Sequence, residues 1–233
     1  MRIFTALILL QLLSGWVHSK EFSAIRGNPY LLPGQELVDI SAYEIDLDVS
    51  PDNQFIQGKM RISGTVINSA ADRLVLNFYD HMQIDSVTDS QQNLNFTHAN
   101  QVLTIPFAAS LNPGENFDVN VYYRGYPMQG STPGYGLLFT SYAGQKLVYS
   151  YNWPYFASTF LPCKDHPSDK ADSVSISLTV PDSYKTACNG ALTDSLLLPG
   201  GRIRYNWKTR YPLTTYGISL NIYPFHHRQD IFE

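Results

Sequence analysis

The sequence lacks most of the marks by which a self-contained catalyst is recognised. Its 6 histidines, at 18, 81, 98, 166, 226 and 227, never form the His-Glu-x-x-His spacing that sets two zinc ligands on one helical face. There is no Gly-x-Ser-x-Gly elbow, so no Ser, His and Asp can be nominated as a triad. A glycine-rich phosphate loop is missing, and the 2 cysteines have no Cys-x-x-Cys spacing. Charged residues make up only 15 % of the chain and the net formal charge is −4, which excludes the basic surface that nucleic acids require. Outside the N-terminus no apolar run approaches the roughly 20 residues of a membrane span. Internal repeats, low-complexity linkers and 3.6-residue apolar periods are absent as well.

What is present points first to export. Met1-Arg2 is a short basic start, Ile3 to Val17 is almost wholly apolar, and Val17-His18-Ser19 offers small residues where a signal peptidase reads them. Residues 1–19 are therefore expected to be a signal peptide and 20–233 the mature domain, exported to a periplasm or the extracellular space. The apolar run is too short for a stable span. Asn95-Phe96-Thr97 is a glycosylation sequon. In an oxidising compartment Cys163 and Cys188 leave two alternatives open, a disulfide or two separately buried thiols.

The mature chain reads as strands. Tyr43, Ile45, Leu47 and Val49 alternate with Glu44, Asp46 and Asp48, the period-2 signature of a half-buried strand. After the turn-rich Ser50 to Asn53, Lys59 and Arg61 lie on the polar side of a second strand. In a hairpin they would sit near Asp46 and Asp48, so the acidic row is read as a salt-bridged face and not as paired catalytic carboxylates. Further alternations run through Leu74 to Phe78, Phe117 to Tyr123, Val174 to Val180 and Ile218 to Ile222, separated by Asn112-Pro113-Gly114, Pro181-Asp182 and Pro199-Gly200-Gly201. The fold class is all-β, an antiparallel sandwich.

One segment breaks this rhythm. Tyr149 to Ala171 is dense in aromatic rings and carries Pro154, Pro162 and Pro167, which forbid a regular central strand. A long irregular segment inside a compact domain is often functional.

Within it, Leu161-Pro162-Cys163-Lys164-Asp165-His166-Pro167-Ser168-Asp169-Lys170-Ala171 resembles the Phe-Pro-Cys-x-Asp-Glu-Pro-x-x-Lys-Ala motif of the M1 family of zinc aminopeptidases. The strand ending Thr179-Val180-Pro181, the Asn189-Gly190 step, the Tyr211 to Tyr216 segment and the opening strands from Tyr43 to Ile67 are similar to the same family, in the same order. The resemblance implies the family's N-terminal domain, a saddle-like β structure that packs on a catalytic domain. It also implies that Pro162, Cys163, Asp165, Pro167, Lys170 and Ala171 fix the loop. Tyr151, Asn152, Trp153 and Pro154 would line the substrate cleft. The family commonly places a Gln here, and neither Tyr151 nor Trp153 is one. Of its usual Asp-Ala-Arg triplet only Ala157 matches, Phe156 and Ser158 replacing the other two.

The Gly-x-Met-Glu-Asn motif and the zinc helix lie beyond this stretch in complete members of the family. The expectation is thus a β domain with no cofactor of its own, truncated or separately encoded and inactive alone. Its partners would be a catalytic domain in cis or in trans and, in the complete enzyme, a peptide and zinc. Two other readings stand beside it: a stand-alone secreted module binding a protein, peptide or glycan through the aromatic loop, and a hydrolase with a site of another kind.

Overall fold

The computed structural model describes residues 31–127 and 134–226. The leader assigned to Met1–Ser19, and His227, lie outside the described residues. Sixteen strands follow in order: β1 (Val38–Ser50), β2 (Phe55–Val66), β3 (Ala71–Asn77), β4 (Met82–Thr88), β5 (Thr97–Ala99), β6 (Val102–Leu111), β7 (Asn116–Gly125), β8 (Gly136–Tyr142), β9 (Gln145–Tyr151), β10 (Lys170–Ala171), β11 (Ser173–Pro181), β12 (Lys185–Cys188), β13 (Ala191–Leu198), β14 (Arg202–Thr209), β15 (Leu213–Thr214) and β16 (Leu220–Tyr223). Helical structure among the described residues is confined to three single 3-10 turns.

The alternation in the sequence is the alternation of the strands. In β1, Tyr43, Ile45, Leu47 and Val49 are at most 1 % exposed, while Glu44, Asp46 and Asp48 face outward. A seven-stranded sheet runs in the order β13-β14-β11-β1-β2-β7-β4; the four-stranded β12-β16-β9-β8, the three-stranded β3-β6-β5 and the pair β10-β15 complete the fold. The apolar rows of the large sheet meet Leu74, Leu76, Leu103, Val148, Leu220 and Ile222 from the smaller sheets in one continuous core. Burial of this kind, at roughly 25 cal/mol per Å² of apolar surface, is the main force holding the layers together.

One pairing departs from the antiparallel expectation. β1 and β11 run parallel, in register from Ala42 opposite Ser173 to Asp48 opposite Thr179. A parallel neighbour needs a long connection, and everything from β2 to β10 supplies it.

That neighbour also re-partners the acidic row. Arg61 does lie opposite Glu44 and Lys59 opposite Asp46, and Arg61 binds Glu44 at 3.1 Å and also Asp118. Asp46, however, is held by Arg204 at 2.8 Å and Asp48 by Arg202, both from β14 on the far side of β11. The intervening polar row of β11 is Ser173, Ser175, Ser177 and Thr179, short enough for an arginine to reach across. Exposed pairs like these contribute about 0–1 kcal/mol each, so they align strands more than they stabilise the fold.

Candidate functional site: the aromatic loop and its buried brace

The chain leaves β9 at Tyr151 and rejoins the regular structure at Lys170. Between them the backbone is irregular yet sunk in the protein: Ala157, Phe160, Leu161 and Cys163 are fully buried. Backbone polar groups buried in this way must find partners, and the motif residues supply them. Asn77, the last residue of β3, exchanges both backbone bonds with Cys163 at 2.8 and 3.1 Å. Its Oδ1 accepts from the Asp165 N–H at 3.1 Å and from Gln35 Nε2 at 2.8 Å.

Asp165 stands at the centre of the brace. One carboxylate oxygen accepts the Ser158 N–H at 2.9 Å and the other the Thr215 hydroxyl at 2.8 Å. Burial pushes this carboxyl above the ordinary aspartate range, and the bonds from Ser158 and Thr215 pull the other way. Lys164, its side chain only 7 % exposed, donates to the Val38 carbonyl at 2.7 Å and lies 3.4 Å from the Asp169 carboxylate. The Lys164 N–H donates to the Tyr43 hydroxyl at 3.1 Å. Asp169 too is pushed up by burial, with Lys164 opposing. The loop is therefore tied to β1, to β3 and to the 3-10 turn at Thr215.

The motif residues divide accordingly. Pro162 and Ala171 are buried, Pro167 turns the chain, and Lys170 has an exposed side chain and contributes through backbone pairing with Thr214. The buried ammonium belongs to Lys164. Sequence reasoning missed Lys164, Asp169, Asn77 and Thr215 as brace residues: Lys164 reaches Val38, Asn77 reaches Cys163 and Asp165, and Thr215 reaches Asp165, all far along the chain, and only the burial of Lys164 beside Asp169 singles out that local pair.

The disulfide alternative is corrected: Cys163 and Cys188 are both free. Cys163 sits in the loop backbone paired to β3, whereas Cys188 closes β12 opposite Leu220 in the four-stranded sheet. Burial raises both thiols, that of Cys188 to about 12, so neither is a ready nucleophile at neutral pH. Asn95 of the sequon is exposed.

The four cleft candidates separate into two kinds. Tyr151 and Trp153 present their rings to solvent, 47 % and 58 % exposed. Asn152 between them is buried; its Nδ2 donates to the Ile218 carbonyl at 2.7 Å, and its carbonyl accepts the Phe156 N–H at 2.9 Å. Its Oδ1 has no hydrogen-bond partner among the described residues. The peptide between Trp153 and Pro154 is cis.

Behind Tyr151 stands a stack of rings. Tyr135 lies 5.3 Å from Tyr151 at 13°, and 4.3 Å from Phe156 at 16°. Gly136 makes this approach feasible: a Cβ there would lie 2.3 Å from Thr159 Oγ1, and φ is +86°. β8 can thereby close on the 3-10 turn Ala157–Thr159 that follows Phe156.

A polar cavity of about 70 Å³ lined by Asn77, Tyr79, Tyr155, Ser158 and Asp165 adjoins the brace, well below the roughly 300 Å³ at which ligand pockets begin. A larger groove of about 730 Å³ involves Arg61, Asp118 and Phe107 on the outer side of the large sheet; Arg61 and Asp118 satisfy one another there. Among the described residues no three His, Cys, Asp or Glu side chains converge as a metal site requires.

An all-β domain of one mixed and three antiparallel sheets, carrying a braced Pro-Cys-Lys-Asp loop beside exposed aromatic rings, defines the class. The family model of the peptidase M1 N-terminal domain matches residues 40–216, and the chain belongs to that family. Among solved structures it is similar to the M1 zinc metallopeptidase from Deinococcus radiodurans, at 26 % identity and a TM-score of 0.73, over 84 % of this chain and 44 % of that one. A point mutant of that metallopeptidase gives 27 % and 0.74 with the same coverage. The same mutant bound to a Tyr-Ser-Ala substrate gives 26 % and 0.74, again over 84 % and 44 %. The chain thus spans less than half the length of these relatives. No curated protein matches it.

Proposed function

We propose that this chain is the N-terminal β domain of an exported M1-type zinc aminopeptidase, a hydrolase that removes the N-terminal residue of peptides. On this reading Tyr151, Asn152, Trp153 and Pro154 border the substrate cleft, while zinc and the hydrolytic groups come from a catalytic domain, joined in cis or assembled in trans. The observation that carries the proposal is the match of 84 % of this chain to 44 % of a zinc metallopeptidase. The tripeptide Tyr-Ser-Ala bound to the mutant relative supports a peptide as the substrate class. The basic, apolar and small-residue order of Met1 to Ser19 supports export.

The test is the intact mass and N-terminal sequence of the protein isolated from its own source, with hydrolysis of aminoacyl amides before and after zinc chelation. We expect a species larger than the 26.3 kDa chain, or one that co-purifies with a second polypeptide, beginning at Lys20 and losing activity to the chelator. Chelator-sensitive turnover by the 233-residue chain alone would overturn the division of labour. An inactive species of the chain's own size without a partner would favour a stand-alone binding module.

A further inference from the structure

We infer that the groove between β6 and β7 is a strand-addition site, which takes up an extended peptide segment by pairing with its backbone. The groove exists because two sheets stop short at the same place. β4 pairs with β7 only as far as Thr88 opposite Asn120. There a tight turn, Asp89 to Gln92, folds the chain back, and Asn93 bridges Thr88. Among the described residues, Asn116 to Val119 of β7 therefore have β2 on one side and no strand on the other. In the three-stranded sheet β5 covers β6 only from Val102 to Thr104. From Ile105 to Leu111, β6 has no strand on that side either. Both open edges border one groove of about 730 Å³, with the Asp89 to Gln92 turn beside them.

Along an open edge every second residue turns its N–H and C=O outward, the template on which another strand pairs. Natural edges are blunted by charge, by proline or by a covering loop; Phe107 to Leu111 carries no charged residue and no proline. The walls are ordered before anything binds, which lowers the entropy cost of docking. Asp89 Oδ1 accepts the Gln91 and Gln92 N–H groups at 2.8 Å, fixing the turn. Asp118 is held by Arg61 Nε at 2.8 Å and by the Ser63 hydroxyl at 3.0 Å. What stays open is backbone, the exposed amides of Gln91 and Gln92, and an apolar floor where the Phe107 and Phe117 rings meet at 5.6 Å. The alternating rows of a strand suit this arrangement, one row on the rings and the other toward the amides and solvent. A polypeptide backbone is the chemistry that two strand edges recognise, so the occupant is a peptide. The inference does not depend on the M1 reading, since the groove shares no residue with the segment from Tyr149 to Ala171.

The probe is a Thr-Val-Thr-Val-Thr-Val amide with fluorescein on its N-terminus, titrated by polarisation against the native protein isolated from its source. The blocked terminus denies an aminopeptidase its substrate amine. Two counterparts are methylated at alternate backbone nitrogens, one in each phase, and cannot donate from that row. We expect the parent peptide to bind and at least one methylated phase to bind about tenfold more weakly or worse. Ala109→Trp, made in the same full-length context, sets a bulky ring on an exposed residue of the groove wall and should weaken the parent peptide by a similar factor. Leu197→Ser, on the opposite edge strand of the large sheet, should leave it unchanged. Bound peptide should also slow amide exchange in Asn116 to Val119 and Phe107 to Leu111, a reading that stands even if Ala109→Trp fails to fold. Equal binding of the three peptides, or slowed exchange only elsewhere, overturns the inference. So does an absence of binding at about 1 mM peptide. A dimer of the native protein that forms without peptide and is lost in Ala109→Trp would place a second copy in the groove and overturn the peptide as its occupant.

Discussion

Two parts of the molecule invert the usual link between regularity and burial. The segment Asn152 to Asp169 has almost no regular secondary structure, yet most of it is buried and its polar groups are bonded to β1, β3 and the turn at Thr215. The β13–β14 hairpin is an antiparallel ladder broken by one irregularity between Leu192 and Asp194, yet all but the last residue of β13 are exposed, Leu197 at 72 %. Its partner strand still sends Tyr205 and Trp207 inward, bonded to the Tyr184 carbonyl and the Thr186 hydroxyl. The difference shows that stability here follows what covers a segment and which polar groups it satisfies, and not whether its backbone repeats.

The strongest way to break this comparison is to open the brace. Lys164→Ala leaves the Asp169 carboxylate buried without its cation and the Val38 carbonyl without its donor. Removal of one partner from a buried pair costs about 3–5 kcal/mol, and urea unfolding should report a loss of that size. A loss under about 1 kcal/mol would mean that the pair behaves like a surface salt bridge and that the loop is held by other contacts.

A smaller effect has a definite sign. Asp165 titrates higher in the folded protein than in the unfolded chain, because burial disfavours its charge. Below the unfolded value both states hold the proton and the group's contribution to stability is fully present. As pH rises the unfolded state releases the proton first, so that contribution is lost up to the folded value. Asp165→Asn has no proton to lose. The stability advantage of the natural protein over this variant should therefore shrink from about pH 4 upward through the raised folded value, measured by urea midpoints at several pH values. An advantage that grew with pH would show that the bonds from Ser158 and Thr215 outweigh burial.

The smallest expected effect lies on the hairpin. Leu197→Ser removes apolar surface that already faces water and should change stability by no more than about 0.5 kcal/mol. A loss of about 2 kcal/mol in the native protein would reveal that this flank is covered there.

The strands that were legible in the sequence each have one buried face, and alternation records that directly. Tyr43 to Val49 and Val174 to Val180 needed nothing else. That these two strands lie side by side in the same direction was not legible, since no local signal names a partner beyond the next turn. The arginine partners of Asp46 and Asp48 were hidden for the same reason. In the loop, family resemblance marked Asp165 as structural, and its bonds to Ser158 and Thr215 give that role a cause. The same motif drew attention to Lys170, whereas the buried cation is Lys164; burial of a lysine depends on a carboxylate and a carbonyl that only the folded chain brings near.

The serine row of β11 has a mechanical consequence. Sliding β1 lengthwise along β11 strains all seven aligned positions from Ala42 to Asp48 together, and Arg202 and Arg204, braced across the serines to Asp48 and Asp46, resist the same slip. Peeling β13 from β14 opens one rung after another, against a single hydroxyl bond from Thr193 to the Asn206 carbonyl at 2.9 Å and no arginine brace among the described residues. Under load the domain has a stiff centre and a soft flank, and force applied to the chain would spread into the hairpin before it reached the strands that carry the loop.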